Sequence, residues 1–117
     1  MHTYAPIEVS ELESLLAGSS WQPTQIFHAT PDFLADNSDL DEEECEYLLS
    51  LAAAQAALEG KAKALVIAAD SENFEELVFK DIQCVFLCSH SAEESEIELA
   101  WFGPTEISSQ LDNWKTL

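Results

Sequence analysis

The chain has 117 residues, 47% of them hydrophobic, enough for one folded domain over residues 1–117 with a buried core. Twenty-three Asp and Glu face four Lys and no Arg, a net charge of -19. This balance argues against direct binding to nucleic acid or to an anionic membrane, because Arg grips phosphate bidentately and Lys supplies the counterion-release term.

In chain order, Ser10 followed by Glu13 makes a capping-box pattern, with Ile7, Leu12, Leu15 and Leu16 near one face of a short helix that Gly18 ends. Residues 24–29, after Pro23, read as a first strand with Ile26 and His28 on one face and Phe27 on the other. Residues 31–38, with Pro31, Asn37 and Ser38, read as a loop. Asp39 followed by Glu42 then starts a helix in which Cys45, Leu48, Leu49, Ala52 and Ala56 recur at helical spacing up to Gly60. Its alanine-rich second half lacks bulk and allows another element to approach closely.

Residues 64–69 form an unbroken apolar run, the composition of a strand buried on both faces. The stretch 71–80 is ambiguous between helix and strand, and reads best as a short turn or loop leading into a strand. Residues 82–88 and 96–102 form a hairpin, with Glu94, Glu96 and Glu98 alternating with Ile97, Leu99 and Trp101. Gly103 and Pro104 stop the last strand, and Ile107, Leu111 and Trp114 mark a terminal helix. The order α-β-α-β-β-β-α predicts an α+β domain with helices packed on a mainly antiparallel sheet.

The apolar runs 64–69 and 84–88 are too short to span a bilayer, and no basic segment precedes an apolar signal core, so a cytoplasmic location is expected. Cys45, Cys84 and Cys88, an odd and sparse set, suit free thiols in a reducing compartment.

Three clusters hold 17 of the 23 carboxylates: eight in residues 32–46, five in 70–81 and four in 93–98. Along a strand, alternate residues stand about 6.6 Å apart on one face, so Glu94, Glu96 and Glu98 make a row with phosphate-like spacing. Some of the acid is ordinary: carboxylates at Asp41, Glu42, Glu43 and Glu44 complement a helix dipole, and others solvate the surface. Salt adaptation also yields acidic chains, but here Glu outnumbers Asp sixteen to seven and large apolar residues are retained. The partner-binding candidates are Asp32, Asp36, Asp39, Asp41, Glu42, Glu43, Glu44, Glu46, Glu94, Glu96 and Glu98, with Phe33 as an apolar anchor inside the acidic stretch. Exposed, Phe33 is a binding hot spot; buried, it pins the loop. The remaining aromatics, Tyr47 and Trp101 among them, read as core.

Metal and catalytic motifs fail on spacing. A calcium loop begun at Asp39 puts Glu44 where the turn glycine belongs and Ser50 where the bidentate Glu belongs. Cys84, Cys88 and His90 contain no Cys-x-x-Cys pair. No Gly-rich phosphate loop, nucleophile elbow or metal-binding helix motif is present, so neither a cofactor nor enzymatic activity is expected.

In size, acidity, lack of Arg and α/β mixture the whole chain resembles the acidic DNA-mimic inhibitors, the uracil-DNA glycosylase inhibitor and nuclease inhibitor proteins among them. Ala64, Leu65, Val66 and Ile67 followed by Asp70 and Ser71 resemble a strand of the glycosylase inhibitor, whereas its Glu-Ser-Ile helix start is missing, Glu13 and Ser14 being followed by Leu15. The resemblance implies a non-enzymatic inhibitor that occupies the DNA site of a nucleic-acid-binding protein, a restriction enzyme for example. Two other classes fit the composition: an immunity protein or secretion chaperone that binds a basic toxin or effector through an apolar groove, and an acidic housekeeping domain with a small ligand. Joining residues 32–46 and 94–98 in one continuous surface is what a mimic of this design requires.

Overall fold

A computed structural model describes residues 2–70, 74–90 and 96–116. The strands β1 (Thr3–Ile7), β2 (Lys63–Ala69), β3 (Ile82–His90) and β4 (Ile97–Phe102) form one antiparallel sheet in the spatial order β1-β2-β3-β4. Helices α1 (Val9–Leu16) and α4 (Ile107–Trp114) cover one face, and α3 (Glu42–Ala57), preceded by the short α2 (Pro31–Asp36), covers the other. The expected α+β class, with helices on an antiparallel sheet, is the one observed.

The two cores follow from the pleat, since alternate residues of each strand point to opposite faces. Ala5, Ile7, Leu65, Ile67, Ala69 and Val85 meet Leu12 and Leu15 of α1 and Ile107 and Trp114 of α4. Tyr4, Val66, Ala68, Cys84 and Cys88 meet Leu49, Ala53, Ala54 and Leu58 of α3 and its end. Because β2 is interior and covered on both sides, all six residues from Ala64 to Ala69 are buried, as their unbroken apolar run predicts.

The first strand lies elsewhere than expected. Residues 24–29 contribute only a bridge: Tyr4 N–H donates to the Phe27 carbonyl (2.9 Å) and Phe27 N–H to the Tyr4 carbonyl (2.8 Å). The regular strand is β1, which Pro6 disguises. Tyr4 N–H points outward, toward Phe27, so the nitrogen of Pro6, two residues on, also faces away from β2, and its missing N–H costs the ladder nothing.

Helix starts shift for local reasons. Glu8, not Ser10, caps α1, with Glu8 N–H donating to Glu11 Oε1 at 2.9 Å. Thr30 caps α2, its hydroxyl accepting from Phe33 N–H (3.1 Å) with Pro31 at the first helical position, so most of the expected loop, Pro31–Asp36, is helical. Asp41, not Asp39, caps α3 by accepting from Glu44 N–H (2.8 Å). The buried stripe of α3 runs through Cys45, Leu49, Ala53 and Ala54, which turns Leu48 toward solvent. In the ambiguous stretch, Leu77 bridges Trp21 through two 2.8 Å hydrogen bonds and a 3-10 turn, Phe79–Asp81, leads into β3; residues 71–73 lie outside the described residues. Among the described residues no helix is long and apolar enough to cross a membrane.

Candidate functional site

Seven of the carboxylates in residues 32–46, those of Asp32, Asp36, Asp39, Asp41, Glu42, Glu43 and Glu44, are exposed along α2, the turn after it and the first turn of α3. Asp41 spends its side chain on the cap, while Glu42, Glu43 and Glu44 fan around the helix start, where the dipole favours negative charge. Glu46 is half-buried and accepts from His2 N–H (2.9 Å), tying α3 to the start of β1.

Apolar side chains interrupt this acidic surface. Phe33 is half-buried against the α3-side core, so it pins α2 and does not stand out as an anchor. Its neighbour Leu34 is 42% exposed, and Tyr47 and Leu48, expected in the core, are 57% and 38% exposed. Leu40, Tyr47 and Leu48 line a surface concavity of about 510 Å³ together with Glu43 and Glu44. An apolar floor rimmed by carboxylates is thus built by α3 and the turn before it. Sequence periodicity assigned Leu48 to the buried stripe; the competing 45-49-53 stripe was the signal that exposes it.

Three of the four lysines lie at the opposite end of α3, whereas Lys80, in the Phe79–Asp81 turn, lies at the end of the sheet where Asp70 and His2 meet. A 16-residue helix is roughly 24 Å long, and Lys61 and Lys63 follow its C-terminus. Lys61 pairs with Glu8 (2.7 Å), and Lys115 pairs with Glu13 (2.7 Å) and Asp112 (3.7 Å). Lys61, Lys63 and Lys115 line one groove with Glu8, Glu11 and Glu59.

The strand carboxylates do not extend the α2–α3 surface. Glu98 pairs with Ser89 of β3, in register with Lys63 of β2, whereas Leu99 pairs with Cys88 and packs on the α3 side. Alternation therefore sends Glu98 to the α1–α4 face, while Glu96 is exposed just before β4 begins. Glu94 lies outside the described residues. Trp101 shares the α3 side with Leu99 but stands 59% exposed on the outermost strand.

Cys45, Cys84 and Cys88 are buried free thiols. Burial pushes Cys84 up to about 11 and Cys88 up to about 12, which removes the thiolate a nucleophile needs. His2 Nδ1 lies 2.7 Å from Asp70, and its ring meets that of Tyr4 edge-on. Burial also raises the Tyr4 hydroxyl, with Glu46 adding to the shift. Among the described residues no three His, Cys, Asp or Glu side chains come together in a group that could hold a metal. No protein-family model, curated protein or solved structure matches the chain.

Proposed function

We propose that this is a non-enzymatic cytoplasmic inhibitor that presents DNA-like charge and occupies the binding site of a nucleic-acid-binding protein or enzyme. The observation that carries the reading is the acidic α2–α3 surface with Leu40, Tyr47 and Leu48 set within it, and three of the four lysines, Lys61, Lys63 and Lys115, at the other end of α3. Negative charge on one end steers a basic site toward that end, and the apolar patch supplies contact area once water leaves. Glu98 faces the other side of the sheet, so the mimic surface in this reading is α2–α3 alone.

The concavity at Leu40, Tyr47 and Leu48 also favours a second reading, an immunity protein or secretion chaperone that holds a basic toxin or effector mainly by apolar contact. Salt separates the two, because charge-driven binding weakens as ionic strength rises and apolar contact does not. The test is capture of partners from a cell lysate at low and high salt, with duplex DNA as competitor, by the wild-type chain and by Glu43→Gln/Glu44→Gln and Tyr47→Ala/Leu48→Ala variants. Mimicry expects a DNA-binding partner that DNA displaces and that the Gln variant loses. A partner indifferent to DNA and to the Gln variant, but lost from the Tyr47 and Leu48 variant, overturns mimicry in favour of the second reading.

A further inference from the structure

We infer that the concavity on α3 is an arginine-docking site, in which a guanidinium of the partner lies flat on the Tyr47 ring beside the carboxylates of Glu43 and Glu44. The inference rests on the reading of α2–α3 as the partner-binding surface and names the chemistry which that surface takes. Tyr47 and Leu48, with Leu40, floor the concavity of about 510 Å³, and Glu43 and Glu44 are its charged rim. Helix geometry sets this arrangement. Residues three and four apart share one face with Cβ atoms about 5–6 Å from each other, so Glu43 and Glu44 both neighbour Tyr47, and Glu44 also neighbours Leu48. Helical side chains lean toward the N-terminus, which brings the exposed Tyr47 ring back toward the two carboxylates.

The chain holds no cation for this site. Neither Glu43 nor Glu44 pairs with a cation among the described residues, and the Tyr47 ring stacks on no other ring there. Lys61, Lys63 and Lys115 line the groove at the far end of α3, Lys80 sits in the turn before β3, and there is no Arg. The counter-charge therefore comes from outside. Two carboxylates beside an open aromatic face distinguish one cation from another. A lysine ammonium is a compact, strongly hydrated point charge that gains from the carboxylates alone. A guanidinium is planar and weakly hydrated, stacks on the ring, and still donates from its edge to both carboxylates. Leu40 and Leu48 offer apolar surface next to it. The occupant is a segment of the partner protein that carries arginine beside an apolar residue.

Titration of the full chain with blocked Leu-Arg-Arg-Leu and Leu-Lys-Lys-Leu peptides at equal ionic strength, followed by backbone amide shifts, reads the preference. The expected result is a set of shifts centred on residues 40–48, with the arginine peptide bound about three- to fivefold tighter than the lysine peptide. Tyr47→Leu keeps the apolar floor and all the charge but brings the two peptides level, Tyr47→Phe keeps the preference, and Glu43→Gln/Glu44→Gln weakens both peptides severalfold. Circular dichroism checks that these exposed substitutions leave the fold intact. Equal binding of the two peptides by the wild-type chain, a preference that survives Tyr47→Leu or is lost in Tyr47→Phe, or shifts centred away from α3 overturns the proposal. The peptides contain no DNA site, so the two readings fail separately: a captured partner indifferent to DNA defeats mimicry and leaves the arginine preference standing, whereas level peptides defeat the preference and leave the capture result untouched.

Discussion

Glu98 and Glu46 sit on opposite faces of one sheet. Glu98 shares its face with Ser89 and the α1–α4 layer, while Glu46, on α3, holds the backbone of His2 on the other side. A single flat partner site therefore does not cover both. Neutralising Glu96 and Glu98 together to Gln is expected to leave affinity for a partner bound at α2–α3 within about twofold at physiological salt, since exposed charges beyond a Debye length are largely screened. Glu43→Gln/Glu44→Gln is expected to weaken it severalfold and flatten its salt dependence, as titration calorimetry at several salt concentrations reads directly.

Removing the α3 cap tests how the acidic surface is held. Asp41→Ala leaves the Glu44 N–H without its acceptor and costs about 1 kcal/mol, seen as a lower urea midpoint with an unchanged slope. Asp41→Asn keeps the acceptor and most of the stability, and so separates capping from charge.

The close approach of α3 to the sheet makes a sharper demand. Ala53 and Ala54 are fully buried against β1 and β2. Ala53→Leu forces bulk into that contact and is expected to destabilise by about 1–3 kcal/mol, while Gln55→Leu on the exposed side changes stability little.

Alkaline pH works through the buried thiols. Cys84 and Cys88 have folded values raised by burial, so as pH rises the unfolded chain loses these protons first. Their contribution is complete below the unfolded thiol value of about 8.5 and is lost as pH climbs through about 11 and 12. Urea midpoints measured from pH 8 upward should fall over that window, and the fall should be shallower in Cys84→Ala/Cys88→Ala. In native protein at pH 8 a thiol reagent should react slowly, and with three equivalents once urea is added.

Much of the fold was legible where one physical signal dominated. The run 64–69 announced an interior strand, Asp39 followed by Glu42 announced a helix start two residues ahead of the true cap at Asp41, and the 82–88 and 96–102 segments announced a hairpin. The misses share a cause: local chemistry outweighed pattern. Pro6 argued against a strand until the outward direction of Tyr4 N–H made it harmless. Thr30 and Pro31 turned an acidic loop into a helix. The exposed patch stayed hidden because Leu48 fits one helical stripe and Leu49 another, and only the position of the sheet decides between them.

Pro6 and Phe27 guard the β1 margin of the sheet, whereas no described residue pairs with the outer side of β4. Edge-to-edge stacking of sheets needs two receptive margins, and β1 offers no free N–H at Tyr4 or Pro6, so this sheet is built against growth into an endless fibre.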